Sequence, residues 1–412
     1  MSLKKTDIRL PELLIPAGNP EKLRTAVLYG ANAVYVGVEG LSLRSASAEM
    51  SLSDLAAGVS EAHAAGVRVY GALNTFARNA DLAVARKIIP ELIATGIDAL
   101  IVSDPGLIRL IGQVAPSATL HLSTQANTTN AEAVRFWQDQ GVRRIILARE
   151  LTLKEIGEIA SAVPDMELEI FIHGAMCMSY SGRCYLSYHR NRRSANEGDC
   201  SQPCRWEYLL TESTRLSDPL ILEEDERFSY LLSSKDLCLV EYLPQVAAAG
   251  VASVKIEGRM KSSYYVAVVT RAYRQAIDAL SAHQGEYCFD PHWGRELKTV
   301  SHRGYTTGFA FAEEKTNETS PDLKIIQTHE PAGIVLSFDS DQDRALIEVR
   351  NHLVAGEHVE LLLPDENIDV DTRRLHDEND NRISEAHPGA RILIEVPRRV
   401  PQGALLRKAA KK

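Results

Sequence analysis

The sequence predicts an α/β protein, with a (β/α)8 TIM-barrel-like domain that carries a cysteine-rich insertion, followed by a small C-terminal antiparallel β-barrel domain. Three observations predict this fold class. Eight short apolar runs recur between residues 12 and 257, and amphipathic stretches separate most of them. One gap, between residues 173 and 254, is much longer than the others and rich in Cys, Arg and Tyr. After residue 323 the pattern changes to short alternating runs, which is typical of antiparallel strands.

The eight apolar runs are the predicted barrel strands. They are continuous rather than alternating, which is typical of parallel strands buried on both faces. The turn after the first run reads Pro16-Ala-Gly-Asn-Pro20 and lacks the glycine pattern of a dinucleotide-binding fold. Eight strand–helix units without that pattern favour a closed barrel. The runs are 12–16, 33–37, 67–73, 99–102, 120–123, 144–147, 169–173 and 254–257.

Helix signals occupy the stretches between the strands. Ser53 and Asp54 are candidate N-caps, and Thr152 with Glu155 forms a capping-box pattern. A glycine follows several helical runs, where a left-handed C-cap favours that residue. These glycines are Gly30, Gly66, Gly96 and Gly141.

The domain boundaries follow from these patterns. The barrel is expected over 1–285, with the insertion at about 175–250, and 286–322 is a connector. The small β domain is expected over 323–412, with strands at 333–338, 344–350, 358–363 and 391–396.

Composition restricts the class of protein. The chain has 412 residues, 45% of them hydrophobic and 25% charged, as in soluble globular proteins. The net charge of −9 argues against general coating of nucleic acid but permits a local basic patch. No apolar run has the roughly 20 residues that a membrane helix needs, and the N-terminus resembles no secretory signal, so we expect no membrane association and a cytoplasmic location. The basic tail from Arg398 to Lys412 is expected to be solvated surface.

The cysteines are the most informative residues. Five of the six lie between residues 177 and 238, whereas structural thiols would be scattered. Groups of four thiolates bind zinc or iron–sulfur clusters, and the wide spacings favour a cluster over zinc and over unliganded thiols. The C-x3-C pair adds Cys204, which is either spare or a fourth ligand in place of Cys238; Cys288 is isolated and expected to be inert. The candidate ligands are therefore Cys177, Cys184, Cys200 and Cys238, with Cys204 as an alternative.

Polar residues follow several predicted strands and should meet at the barrel mouth. In the last strand Lys255, Glu257 and Arg259 alternate, which places them on one side. A buried Lys and Glu need each other or an anionic ligand, and an internal salt bridge is as good an interpretation as a substrate role. Arg149 and Arg259 could form a carboxylate clamp. The candidate substrate-binding residues are Gln125, Arg149, Glu150, Lys255 and Arg259, with Asn74 and Asp104 as weaker candidates.

One segment resembles the signature of a known family. Residues 169–187 read EIFIHGAMCMSYSGRCYLS, and the blocks Ser234-Lys-Asp-Leu-Cys238 and Lys255-Ile-Glu-Gly-Arg-Met-Lys261 accompany it. These segments are similar to the collagenase-like peptidases of family U32. The resemblance spans roughly residues 10 to 310, and the β domain resembles the C-terminal domain of longer members. The sequence contains no H-E-x-x-H zinc site and no G-x-S-x-G elbow, so it gives a peptidase activity little support.

The resemblance implies a cofactor and a reaction. Some members are RNA-hydroxylation proteins with an oxygen-sensitive 4Fe–4S cluster on four cysteines, and they convert the wobble uridine of tRNA to 5-hydroxyuridine with prephenate rather than dioxygen. By matching position the ligands would be Cys177, Cys184, Cys200 and Cys238, although some relatives use the equivalent of Cys204. Two other interpretations remain: a peptidase, and a non-catalytic iron–sulfur protein that works with a partner, as in ubiquinone hydroxylation.

The same resemblance implies partners. An anionic co-substrate such as prephenate would contact the cations of the pocket, and the tRNA anticodon loop would need basic and aromatic surface beside it. A cluster also requires the iron–sulfur assembly machinery. Glu257 and His173 are the catalytic candidates. The candidate RNA-binding residues are Arg190, Arg192, Arg193, Arg205 and Trp206, with Tyr188 as a further stacking candidate.

Overall fold

The structure is a computed structural model, and it describes residues 10–38, 49–177, 179–193, 200–206, 234–282, 287–311 and 325–410. The predicted fold class is confirmed: a parallel barrel is followed by an antiparallel β-sheet. The first strands are β1 (Glu12–Ala17), β2 (Ala33–Val38), β3 (Glu49–Met50), β4 (Arg68–Leu73), β5 (Ala99–Val102), β6 (Leu120–Leu122), β7 (Val142–Ile146), β8 (Glu167–Ala175), β9 (Asp236–Cys238), β10 (Ser253–Ile256) and β11 (Tyr305–Thr306).

Eight of these strands close the barrel. Parallel pairs link β1, β2, β4, β5, β6, β7, β8 and β10 in that order, and β10 pairs with β1 to complete the ring. Every residue of β1 and β2 is buried, as continuous apolar runs predict. Strand β9 pairs antiparallel with β8, and β11 pairs with β9, so both extend the sheet beyond the barrel.

Ten helices are described: α1 (Pro20–Leu28), α2 (Leu52–Ala64), α3 (Asn79–Ala94), α4 (Pro105–Val114), α5 (Ala131–Asp139), α6 (Leu153–Ala162), α7 (Leu186–Asn191), α8 (Leu243–Ala248), α9 (Ser263–Ala282) and α10 (Pro291–Leu297). The Thr152 capping box is confirmed, whereas α2 is capped by Ser51, whose side chain accepts from the Asp54 N–H, and not by Ser53 or Asp54. All four predicted C-cap glycines have φ between 73° and 98°. Within the described residues, no helix is long and apolar enough to cross a membrane.

The C-terminal domain is an antiparallel sheet with strands in the order β16-β15-β21-β12-β13-β20-β17-β18, beside a two-stranded ribbon of β14 and β19. In β13 every second residue is buried, which is the alternation that the sequence predicts. The strands are β12 (His329–Asp339), β13 (Arg344–Val349), β14 (Leu353–Val354), β15 (Val359–Leu362), β16 (Asn367–Val370), β17 (Leu375–Asp377), β18 (Arg382–Ile383), β19 (Glu385–Ala386), β20 (Arg391–Glu395) and β21 (Leu405–Ala409).

The prediction that the basic tail is solvated surface was wrong for one part of it. Arg398 and Arg399 are exposed, but residues Leu405–Ala409 form β21, which pairs with β12 on one side and β15 on the other. Arg407 and Lys408 are buried there, and each is neutralised by carboxylates. The charge pattern gave the wrong prediction because Arg and Lys residues occur both in buried ion pairs and on the exposed surface.

A buried ion network joins the two domains. Glu296 of α10 lies 2.6 Å from Arg271 of α9 and 2.9 Å from Arg407 of β21. Arg271 also donates to the Leu363 carbonyl, and the Tyr29 hydroxyl of α1 donates to the Leu362 carbonyl. The sheet domain therefore packs against the barrel helices through specific buried polar contacts.

Candidate metal centre and substrate pocket

A pocket of about 410 Å³ opens at the carboxyl ends of the barrel strands. Parallel strands bring their carboxyl ends to one face of a barrel, so residues distant in sequence meet there. The walls include Tyr35 from β2, Ile101 from β5, Phe171 from β8 and Lys255 from β10. This is the face at which the sequence predicts the site.

Four cysteines line this pocket: Cys177, Cys184, Cys200 and Cys204. Cys177 lies two residues beyond the end of β8, so the strand delivers it directly to the mouth. A 3-10 turn over Tyr180–Gly182 then reverses the chain and returns Cys184 to the same pocket. Three of the four cysteines predicted as ligands therefore line one cavity, together with the alternative Cys204, and their role as ligands stays a prediction.

Glu150 holds the turn between the first two cysteines. Its carboxylate accepts hydrogen bonds from the Ser181 N–H and hydroxyl, both at 2.6 Å. Ser181 has a φ of 44°, in the left-handed region, so these bonds stabilise a backbone conformation that serine rarely adopts. Arg183 donates to the Gln125 carbonyl at 2.8 Å and ties the next residues to the barrel. Glu150, a predicted substrate-binding residue, does not line the pocket and instead positions the cysteine loop.

The second cysteine segment is tied to the first by serine contacts. The Ser201 N–H donates to the Ser187 hydroxyl at 3.0 Å, and Ser187 is fully buried at the start of α7. Cys200 and Cys204 flank this contact and face the pocket.

Cys238 occupies a different position. It ends β9, opposite His173 of β8, and lines a separate cavity with Tyr305 and Lys235. Its sulfur lies 3.8 Å from the Tyr273 hydroxyl, and burial raises the pKa of this thiol to about 11. The role of Cys238 as fourth ligand stays a prediction, and its placement favours the alternative, Cys204.

The cysteine geometry bears on the choice between zinc and a cluster. Tetrahedral zinc with Zn–S bonds of about 2.3 Å requires sulfur atoms about 3.8 Å apart. Among the described residues, no three of the cysteine sulfurs lie within 4.8 Å of one another. The described thiols therefore do not form a closed tetrahedral zinc site, and the choice between zinc and an iron–sulfur cluster stays a prediction.

Arg149 is aimed into the pocket from the loop after β7. Its guanidinium donates to the Ala175 carbonyl at 2.9 Å, lies 3.2 Å from the Glu257 carboxylate and stacks on the Phe171 ring at 4.0 Å. Its Nε is buried and has no hydrogen-bond partner among the described residues. Arg259, only 3% exposed, lines the same pocket with its guanidinium 5.9 Å from the Tyr35 ring. The two guanidinium groups of the predicted carboxylate clamp therefore share one cavity.

Lys255 forms an internal salt bridge and also lines the pocket, so its position is compatible with both roles considered from the sequence. Its ammonium group lies 3.1 Å from Glu169, so its ion-pair partner is a residue of β8 and not Glu257. Glu169 also contacts Arg144, which pairs with Glu12 at the base of the barrel. Burial lowers the pKa of Lys255. Its side chain still lines the pocket, above this buried network.

His173 lies outside the pocket lining. It is 1% exposed, and its Nδ1 is 3.3 Å from the Tyr273 hydroxyl. Burial lowers the pKa of His173 to about 3, so the imidazole is neutral at physiological pH. Its packing among Tyr265, Tyr273 and Tyr305 indicates a structural role. Of the two catalytic candidates, only Glu257 lines the pocket.

Some of the remaining predicted residues line the pocket and others lie elsewhere. Gln125 and Asn74 line the pocket, whereas Asp104 caps α4 by accepting from the Leu107 N–H. Arg190 lies in α7, Arg193 follows that helix, and Trp206 is 42% exposed. The side chain of Arg205 lies outside the described residues.

Sequence reasoning missed two aromatic residues beside the cysteines. Tyr185 lines the pocket and is nevertheless 65% exposed, and Tyr180 is 51% exposed. Tyr185 and Tyr188 have ring centroids 5.4 Å apart, and the Arg192 guanidinium lies 5.3 Å from the Tyr188 ring. Tyr185 directly follows the candidate ligand Cys184 in an arginine-rich segment, and this position could have indicated an RNA contact from the sequence.

A (β/α) barrel with a cysteine-lined pocket and an appended β-sheet domain defines the class of protein. The chain belongs to peptidase family U32, whose family model matches residues 18–320, and the model of the U32 C-terminal domain matches residues 327–407. It is similar to tRNA hydroxylation protein P1 of Bacillus subtilis, with 36% identity over 98% of this chain and 96% of that protein. It is also 36% identical to tRNA hydroxylation protein P of Escherichia coli, over 94% of each chain. A 23S rRNA 5-hydroxycytidine synthase of Escherichia coli is 40% identical over 74% of this chain and 46% of its own length.

Proposed function

We propose that this chain is an RNA-hydroxylating enzyme that converts the wobble uridine of tRNA to 5-hydroxyuridine. The observation that carries the proposal is the pocket itself, which is lined by four thiols, by Arg149, Arg183 and Arg259, and by the exposed ring of Tyr185. The names of the relatives support RNA hydroxylation, and two of the three name tRNA.

The proposal includes a 4Fe–4S cluster. Cys177, Cys184 and Cys200 would hold it, with Cys204 or Cys238 as the fourth ligand. When bound, such a cluster supplies redox chemistry that protein side chains lack. Glu150 would keep the ligand loop in place through its two bonds to Ser181.

The proposed hydroxyl donor is a small carboxylate, prephenate, without dioxygen. Arg149 and Arg259 would bind its carboxylate groups, because a guanidinium fork matches a carboxylate in a bidentate manner. The Nε of Arg149 has no hydrogen-bond partner among the described residues, so this guanidinium keeps one unsatisfied N–H group. Glu257, which pairs with Arg149, would accept or return a proton in the pocket.

The proposed RNA contacts surround the mouth. Bases of a single-stranded anticodon loop can splay out and stack on aromatic side chains. Tyr185, which belongs to both the pocket and the exposed surface, would stack on a base that enters. Arg190, Arg192 and Arg193 in and after α7 would contact phosphates.

Nucleoside mass spectrometry tests the function. We expect tRNA from a strain lacking the gene to lose 5-hydroxyuridine and its derivatives, and expression of the wild-type chain to restore them. Cys177→Ser should fail to restore them, whereas Cys288→Ser, a matched change of an exposed cysteine far along the chain, should succeed. Unchanged 5-hydroxyuridine, after any second enzyme has been deleted, would refute the proposal, and loss of an rRNA hydroxycytidine instead would reassign the substrate.

Iron and sulfide analysis identifies the fourth ligand. Anaerobically purified Cys204→Ser and Cys238→Ser are compared with wild type by iron content and visible absorption. The pocket geometry predicts loss in Cys204→Ser, whereas the family resemblance predicts loss in Cys238→Ser. A colourless wild-type protein that contains zinc and cleaves gelatin would instead favour a peptidase. A peptidase could use Cys177 and His173 as a thiol–imidazole pair, but His173 lies outside the lining of the pocket that contains Cys177, which gives such a pair no support.

A further inference from the structure

The ribbon of the C-terminal domain places three metal-binding side chains on one face. In the antiparallel register Leu353 pairs with Ala386 and Val354 with Glu385. Extending this register by one residue places His352 opposite His387. Glu385 and His387 are two residues apart, so in an extended strand they point to the same side. Cross-strand neighbours on one face have closely spaced side chains.

The side-chain contacts agree with this register. The His352 Nε2 lies 2.8 Å from the Glu385 carboxylate, and the rings of His352 and His387 stack at 5.0 Å with an angle of 21°. The ligand atoms of all three residues lie within 4.8 Å of one another. Among the described residues, this is the one set of three or more His, Cys, Asp or Glu side chains with that spacing.

We propose that His352, Glu385 and His387 form a binding site for a divalent transition-metal ion of the zinc class. Two imidazoles and one carboxylate are a donor set that binds Zn²⁺ and leaves a fourth position for water. The site is distinct from the cysteine pocket, and it binds metal without any redox step. The ion would join β14 to β19, two strands of two residues each.

Buried neighbours fix the backbone of one ligand. The Lys408 ammonium group, 1% exposed, donates to the His352 carbonyl and pairs with Glu357 at 3.1 Å. The His352 N–H donates to the Asn351 side chain at 3.0 Å. Such contacts reduce the conformational entropy that metal binding would cost, because the main chain of His352 is already fixed.

Calorimetric titration with ZnCl2 tests the proposal on the full-length, anaerobically purified chain. Because cysteine thiolates also bind zinc, the informative quantity is the difference between variants. We expect His387→Ala to bind one Zn²⁺ fewer than wild type, or to bind that ion at least about tenfold more weakly. Glu385→Gln, which keeps the size and removes the charge, should weaken the same event. His387 and Glu385 are exposed, so both variants should fold, and circular dichroism checks this.

His358→Ala is the matched control. His358 pairs with Asp369 at 3.1 Å on the same domain but belongs to no set of three closely spaced ligand side chains among the described residues. The His358→Ala variant should bind zinc with the same stoichiometry and affinity as the wild-type protein. Equal zinc binding by wild type and His387→Ala would overturn the proposal, and so would an equal loss in His358→Ala, since any surface histidine–carboxylate pair would then suffice.

Discussion

A lysine in place of Arg259 would preserve the positive charge of the pocket and remove its bidentate geometry. Hydrogen bonds to charged groups contribute about 1.5–3 kcal/mol each, so losing one corresponds to roughly a tenfold or larger effect. We expect Arg259→Lys to raise the KM for the carboxylate donor by at least that factor, while the iron content stays unchanged. Steady-state kinetics with varied donor concentration measures this. Unaltered kinetics would eliminate the carboxylate clamp.

His121 makes the stability of the barrel depend on pH. It is 4% exposed and makes an edge-to-face contact with the Tyr70 ring, and burial, with nearby Arg144, holds its pKa well below the usual 6.5. The folded chain therefore keeps His121 neutral at a pH where the unfolded chain protonates it. Stability is lost as the pH falls below 6.5, by about 1.4 kcal/mol per unit from this residue.

We expect His121→Gln to lose less stability than wild type between pH 7 and pH 5.5. Urea denaturation at each pH measures the difference. Parallel losses in the two proteins would show that His121 does not titrate on unfolding as described.

At the scale of elements, the short turn over Tyr180–Gly182 depends on one distant carboxylate. Removing the Glu150 side chain leaves the Ser181 N–H and hydroxyl without their acceptor. Ser181 would then lose the contacts that stabilise its left-handed backbone conformation. We expect Glu150→Ala to lower cluster content and RNA hydroxylation severalfold, because Cys177 and Cys184 flank this turn. The barrel should be intact by circular dichroism, since no barrel strand depends on the contact.

The control for that variant is Glu158→Ala, on an exposed position of α6. It should retain full cluster content and activity. If both variants behave as wild type does, the Glu150 contact is dispensable and the loop must be held by its other bonds.

At the scale of the whole molecule, Glu296 links the two domains. It pairs with Arg271 and Arg407, both less than 5% exposed, so its removal leaves two buried cations without their shared partner. Breaking a buried pair costs about 3–5 kcal/mol. We expect Glu296→Gln to lower the midpoint of urea denaturation and to increase cleavage between the domains in limited proteolysis.

Arg350→Ala is the matched comparison, because Arg350 pairs with Glu21 across the same two domains but both side chains are more than one-third exposed. Exposed ion pairs contribute about 1 kcal/mol or less. Equal destabilisation by the two substitutions would show that burial does not determine the strength of this interface.

The sequence by itself determined the fold class, the barrel strands to within about two residues and the group of cysteines, because apolar periodicity and residue chemistry are local properties. It did not identify Ser51 as the cap of α2 or the burial of Arg407 and Lys408, which depend on which charges and hydroxyls find partners. The amino-acid sequence alone does not tell whether a basic residue is buried with a partner or exposed to solvent.

Only the tertiary structure decided which predicted residues share the pocket. It placed Cys204, Arg149 and Arg259 in the cavity, and Cys238 and His173 outside its lining. The physical reason is that strand order and closure bring together side chains more than a hundred residues apart, whereas neighbours on one strand can face opposite sides. Spacing along the chain therefore named the candidates, and the closed barrel selected among them.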